Sequence, residues 1–283
     1  MDYKNIKLSV DNRIATISLN RPERLNAITN ELLFEVQAAV LEADHNEDVR
    51  VIVLKGEGKN FCAGYDLDII TEDESNKDNG GNGVWDPIHD YTWMSKNSNA
   101  MMSLFRCSKP VIAQVHGWAV GGGSDMVLCA DMIIASEDAH FGYPPTRVWG
   151  APTTPMWIVR LGMERAKRLL FTGDSINAVE AAKIGMILEA VPLEQLETKV
   201  NELANRVALL PANQLKMMKL YVNQMYLNMG LDTTQSFGIL FDGIARHTPE
   251  GIAWRESAIT NGVKHALKER DEAFRDYSQR VRD

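Results

Sequence analysis

Cysteine is scarce in this chain. Cys62, Cys107 and Cys129 are odd in number and show no CxxC spacing, which argues against both a disulfide framework and a zinc site. No apolar run is long enough to cross a bilayer, so no membrane partner is expected. Basic charge is in deficit: 30 Lys and Arg against 38 Asp and Glu leave a formal net charge of -8, which disfavours nucleic acid as the main partner. The opening residues, Met1-Asp2-Tyr3-Lys4-Asn5, lack the basic start and apolar core of a secretory leader, and a cytoplasmic location is expected. Internal repeats and long separating linkers are also missing. What is present is a chain of 283 residues, 45% hydrophobic and 24% charged, with ample length to bury a core.

Period-two alternation through Ile6, Leu8 and Val10, a turn at Asp11-Asn12, and renewed alternation from Ile14 to Leu19 predict an N-terminal hairpin. After the polar loop at residues 20–27, Thr29 is a plausible N-cap for a helix carrying Leu32, Leu33, Val36, Val40 and Leu41. A buried strand is expected over Val49 to Leu54. From Thr71 to about Asn99 the composition turns acidic and glycine-containing, which reads as a solvated loop, with closure over a ligand as the alternative. Trp85, Tyr91 and Trp93 adjoin it and either pack on the core or line a pocket.

The stretch that organises the rest runs from Lys109 to Cys129. Val111 to Val115 read as a buried strand and the segment from Gly123 onward as a helix, with Gly121, Gly122 and Gly123 between them. A glycine run at such a switch lets backbone approach a ligand closely, and the unpaired amides that follow suit negative charge, either a phosphate or an oxygen that becomes anionic during a reaction. Strands are then expected at Met132 to Ala135 and Leu188 to Val191, an irregular segment at Phe141 to Gly150, and helices from Thr154, Ala178 and Leu193 onward. Strands alternating with helices, followed by helices alone, give an α/β core with a helical C-terminal part.

Four segments together resemble the crotonase, or enoyl-CoA hydratase/isomerase, superfamily. They are Arg21-Pro22-Glu23-Arg24-Leu25-Asn26-Ala27, Phe61-Cys62-Ala63-Gly64-Tyr65-Asp66, the stretch His116 to Asp125, and Phe141-Gly142-Tyr143-Pro144. The resemblance covers roughly residues 3 to 260 and implies a spiral of strand-strand-helix repeats over residues 1–200, holding an acyl-CoA site. Residues 201–283 would form a helical trimerisation region, giving a homotrimer or a hexamer made of two trimers. By motif, the backbone amides of Tyr65 and Gly122 would form an oxyanion hole for a thioester enolate; removing one such donor elsewhere costs about 2.7 to 4 kcal/mol. A side chain at position 122 would then crowd the thioester. Ala63 and Leu67 would lie against the adenine of coenzyme A, and Arg24 and Leu25 near its pantetheine or phosphates. Gly64, Asp66, Gly121 and Tyr143 fall in the same binding segments, Asp66 ordering its own turn. A Lys or Arg from the C-terminal helices of a neighbouring subunit would meet the phosphates. No cofactor is implied beyond the coenzyme A carried by the substrate.

The chain also departs from that family. Well-studied hydratases place two glutamates about a water; here the first position is Asp125 and the second Pro145, which cannot transfer a proton. The dienoyl-CoA isomerase branch has an aspartate at the first position but keeps an acid at position 145 and an aspartate where this chain has Thr153. Asp125 is therefore the expected general base, with a raised pKa near a water-poor turn; its alternative is a structural carboxylate on the first turn of a helix. Arg147 would pair at a surface or subunit interface, bind a substrate carboxylate, or pair with Asp125. His116 and His140 read as structural, His89 with Asp86 and Asp90 as able to enter the site on loop closure, and Trp118, Tyr143 and Trp149 as shaping an acyl pocket. The leading expectation is an acyl-CoA hydratase or isomerase working through an enolate. Hydrolysis of a thioester or carbon-carbon bond, and a non-catalytic acyl-CoA-binding oligomer, stand as alternatives.

Overall fold

The computed structural model describes residues 2–68 and 85–274. Strands β1 (Ile6–Asp11) and β2 (Ile14–Leu19) form the expected antiparallel hairpin, with Ile6 opposite Leu19. Its turn centres on Asn12 and Arg13, both at positive φ, the backbone hand that matches strand twist in a two-residue hairpin loop. Strands β3 (Val51–Gly56), β4 (Val111–Val115), β6 (Met132–Ser136) and β9 (Glu189–Val191) then add in parallel, giving the order β1-β2-β3-β4-β6-β9. A second sheet of three short strands, β5 (Trp118–Val120), β7 (His140–Gly142) and β8 (Ser175–Asn177), has the order β5-β7-β8. The two sheets share the chain turn by turn, which is the strand-strand-helix spiral.

Helix α1 (Asn30–His45) starts where Thr29 accepts a hydrogen bond from Leu32 N at 3.1 Å, and it buries Leu32, Leu33, Val36 and Val40 against the sheet. Helix α2 (Pro87–Arg106) replaces much of the irregular segment expected between residues 71 and 99. Asp86 caps it by accepting from Ile88 N and His89 N, and Pro87 occupies the first turn, where no amide is needed. Its core-facing side includes the buried polar residues Asn97 and Ser98, so apolar periodicity hides the helix. The remainder of that acidic stretch, with its expected loop, falls at residues 69–84, outside the described residues.

Helices α3 (Gly122–Leu128), α4 (Met156–Thr172) and α5 (Ala178–Lys183) complete the spiral, α4 carrying a break in helical geometry at Gly162. Helix α6 (Leu193–Ala208) covers the outer face of the six-stranded sheet, packing Leu196, Val200, Ala204 and Ala208 on Val51, Val53, Ile112 and Ile134. The boundary placed at residue 200 thus falls inside a helix whose buried face belongs to the core. Helices α7 (Ala212–Asn228), α8 (Leu231–Arg246), α9 (Pro249–Asn261) and α10 (Val263–Glu272) form the C-terminal region. Helix α8 packs on α2, and the α9–α10 pair closes over Leu67, Val148 and Trp149. Among the described residues no helix is long and apolar enough to cross a membrane.

Candidate active site

The segment after β3 is held between two neighbours. On one side Cys62 N donates to Trp118 O at 2.9 Å and Val120 N to Cys62 O at 3.1 Å; on the other Ala63 N donates to Leu25 O, Ile28 N to Gly64 O and Asp66 N to Ile28 O. Successive amides of an extended segment face opposite ways, so the Tyr65 amide faces away from Ile28. Neither Tyr65 N nor Gly122 N has an acceptor among the described residues. The two turns that carry them touch: a Cβ added at Gly64 would stand 2.8 Å from Val120 O and 3.5 Å from Gly122 N. Gly64 has φ +92° and Gly121 φ +56°, conformations that favour glycine.

Gly122 is required for a different reason from the one expected. A Cβ there would lie 2.8 and 2.9 Å from two ring carbons of Tyr65 and 3.0 Å from Ile28 Cδ1, so the protein's own side chains already fill that side. At Gly123 an added Cβ would run into the Cys62 carbonyl.

These turns border a cavity of about 950 Å³. Of the residues expected at the site, Leu25, Ala63, Gly64, Tyr65, Asp66 and Leu67 line it from the first two motifs. Gly121, Gly122, Tyr143 and Pro145 line it from the others, joined by Trp93, Trp118 and Trp149. Asp66 is gripped by Arg21 Nη2 at 3.1 Å and Arg24 Nη2 at 2.8 Å. Burial works to raise its pKa, but those two hydrogen bonds prevail and hold it below the usual carboxylate value.

Three of the expected residues are not on the cavity wall. Arg24 is committed to Asp66 and Asp68 instead. Asp125 lies behind the wall, 1% exposed, its Oδ1 accepting from Trp157 Nε1 at 2.9 Å and its Oδ2 from Thr153 N at 3.1 Å. Burial pushes its pKa up to about 8, against those two donors and with help from the charge of Asp242. The raised value agrees with expectation; the placement does not suit direct proton removal, because Thr153 stands on the wall instead. Arg147 is neither on a surface nor beside Asp125. Its side chain is buried, pairs with Asp174 at 3.5 Å and Asp271 at 2.9 Å, and lies over the Phe274 ring, tying the segment after β7 to α10.

Of the histidines, His116 donates from Nε2 to Gly58 O at 2.9 Å, and the His140 ring packs tilted against Trp118. His89 sits on the first turn of α2, off the cavity wall. Sequence reasoning expected a basic residue from the C-terminal helices without naming it and missed the rest of their contribution: Asp242, Arg246 and His247 from the end of α8, and Lys264 and Lys268 from α10, all line the cavity. The Asp242/Arg246 spacing of four was the one legible sign, since it allows an ion pair on a helix.

The chain matches the profile of the enoyl-CoA hydratase/isomerase family over residues 9–237. It is 30% identical to the short-chain-enoyl-CoA hydratase of Clostridium acetobutylicum over 244 residues, covering 84% of this chain and 87% of that one. Its fold superposes on the crystal structure of an enoyl-CoA hydratase from Mycobacterium smegmatis with a TM-score of 0.90 and 42% identity, over 96% of each chain. An enoyl-CoA hydratase/isomerase from Xanthobacter autotrophicus Py2 superposes with a TM-score of 0.87 at 27% identity, over 96% of this chain and 99% of that one. Sequence and fold agree: the chain belongs to the enoyl-CoA hydratase/isomerase family and is an enzyme of that type.

Proposed function

We propose that the cavity binds an acyl-CoA thioester with its carbonyl oxygen between the amides of Tyr65 and Gly122, and that the enzyme works through the resulting enolate. The observation that carries this reading is the pair of amides on adjoining turns, both without an acceptor among the described residues, at the wall of one cavity. Unpaired buried amides are costly unless a ligand uses them, and an oxygen gaining negative charge uses two donors best. Pro145 lines the cavity where a second proton-transferring acid would stand, so a reaction served by one carboxylate fits better than hydration between two. Migration of an enoyl double bond, in which one group removes a proton and returns it, is such a reaction.

Leu67 packs with the α9–α10 pair, from which Lys264 and Lys268 line the same cavity. On this reading those two ammonium groups meet the phosphates of coenzyme A from within the same chain, and Ala63 and Leu67 lie against its adenine. The exposed apolar side chains of α7 and α8, among them Tyr221, Met225, Phe237 and Phe241, supply the surface for a trimer or a pair of trimers.

Assays of 3-hexenoyl-CoA isomerisation and crotonyl-CoA hydration, side by side, test the reaction. Isomerisation, with deuterium from heavy water entering C4, is expected to exceed hydration. Release of free coenzyme A without either reaction would contradict the proposal.

A further inference from the structure

Four carboxylates line the cavity among the described residues: Asp66, Asp242, Asp271 and Glu272. Asp66 is neutralised by Arg21 and Arg24, Asp271 by Arg147 and Arg270, and Glu272 is exposed at the end of α10. Asp242 differs. It is 5% exposed, its Oδ2 accepts from Arg246 Nε at 3.1 Å, and among the described residues its Oδ1 accepts only a long bond from Ala151 N at 3.3 Å.

Arg246 does not belong to Asp242 alone. Its Nη2 donates to Asp90 Oδ1 at 2.7 Å, while Asp90 Oδ2 accepts from Trp85 Nε1 at 3.1 Å. Helices α2 and α8 approach so closely there that a Cβ on Gly243 would lie 2.7 Å from Asp90 Oδ2. One guanidinium thus serves two buried carboxylates, so a single positive charge faces two negative ones. Burial accordingly raises the Asp242 pKa, opposed by Arg246 and the Ala151 amide and reinforced by Asp90. Such a carboxylate is more basic than an exposed one.

A second feature of the same wall points to a polar ligand. Thr153 lines the cavity at 2% exposure, and its hydroxyl has no hydrogen-bond partner among the described residues. The loop 151–153 runs between the two acids, Ala151 N on Asp242 and Thr153 N on Asp125. Ala151 joins Asp242 to the wall beside Tyr143: its amide donates to Asp242 and its carbonyl accepts from the Tyr143 hydroxyl at 2.7 Å, and Asp242 and Tyr143 both line the cavity.

We propose that Asp242, rather than Asp125, is the catalytic carboxylate that takes the C2 proton of a bound 3-enoyl thioester and returns it at C4, with Arg246 as its positioning residue. The assignment rests on the enolate reading above. In the first step the C2–H bond breaks, the proton goes to Asp242, and the electron pair forms the C1–C2 double bond as the carbonyl electrons move to oxygen. In the second the carbonyl re-forms, the double bond shifts from C3–C4 to C2–C3, and C4 takes the proton from Asp242. Nothing is oxidised or reduced, and no co-reactant is needed.

The test uses the full chain with 3-hexenoyl-CoA in heavy water, following isomerisation and deuterium at C4 of the product. D242N is expected to bind the thioester within about threefold of wild type and to turn over at least about 100-fold more slowly, the scale of a lost general base. D242E, which moves the carboxylate by a methylene, is expected to lose about 10- to 100-fold in kcat with KM unchanged. Turnover by D242N within tenfold of wild type would overturn the assignment and leave the enolate reading standing. Should D242N not fold, D242E decides: full turnover per folded molecule would overturn the assignment. A wild-type protein that binds the thioester but neither isomerises nor exchanges it would overturn both.

Discussion

Replacing Gly122 by Ala adds one methyl group at the junction of the two amide-bearing turns, and the structure says what it meets. The new Cβ falls 2.8 Å from a Tyr65 ring carbon, about 0.7 Å inside an ordinary carbon contact of about 3.5 Å. The ring cannot retreat freely, because Ile28 Cδ1 stands at 3.0 Å from the same point and the Tyr65 hydroxyl meets Met94 Sδ at 3.8 Å. Relief must come in part from the Tyr65 backbone, which carries one of the two proposed donors. Overpacking of this kind costs about 1 to 3 kcal/mol of stability. Displacing one oxyanion donor costs roughly 100- to 1000-fold in kcat, or about 2.7 to 4 kcal/mol. G122A is therefore expected to lose at least 100-fold in 3-hexenoyl-CoA isomerisation. Because the clash is with a ring, removing that ring should relieve it: the double variant G122A/Y65A is expected to recover to within about tenfold of Y65A alone, a coupling of neighbours that a double-mutant cycle measures. A double variant as slow as G122A would refute this reasoning and show that the methyl group blocks the ligand itself.

Further expectations follow from the placement of individual side chains. Asp125 has a folded-state pKa above its unfolded one, so its contribution to stability is complete below about pH 4 and is lost as pH rises toward about 8. The unfolding free energy of wild type relative to D125N should accordingly fall across that window by at most about 1.4 kcal/mol per pH unit; a flat difference in urea titrations would contradict the raised value. R147A strips one charge from a buried network and should cost up to about 3 kcal/mol in urea unfolding, the low end for such pairs because Asp174 and Asp271 keep some exposure, while KM stays near wild type. A large rise in KM at unchanged stability would instead return Arg147 to the substrate. T29A removes the cap of α1 and should cost about 1 kcal/mol, read from the same titrations; no loss would show that the Thr29 bond to Leu32 N contributes nothing. Light scattering is expected to find three or six copies of the chain per particle, and a monomer would leave the apolar face of α7 and α8 without a function.

The parts of the fold written in local sequence were legible. The alternation at Ile6 to Leu19, the Thr29 cap and the glycines around the β5–α3 switch each follow from the constraints of a few neighbouring residues. The wall formed by residues 63–67 and 121–122 was legible for the same reason, since backbone donors depend on turn geometry rather than on side chains. What long-range packing decides was not. Helix α2 was obscured because its buried side includes Asn97, which donates to Asn30, and Ser98, which donates to the Thr153 carbonyl; polar residues with distant partners look like loop residues in one dimension. Arg147 looked like a surface charge because Asp271, 124 positions away, can only be recognised as its partner once α10 has folded back. Asp242 and Arg246 reach the cavity only through the packing of α8 on α2, and nothing near the glycine run announces them.

A crystal structure with a slowly reacting saturated acyl-CoA bound would test the central claim most directly. The thioester oxygen is expected about 2.7 to 3.1 Å from both Tyr65 N and Gly122 N. A thioester oxygen lying elsewhere in the cavity, with either amide turned to an acceptor within the protein, would contradict it.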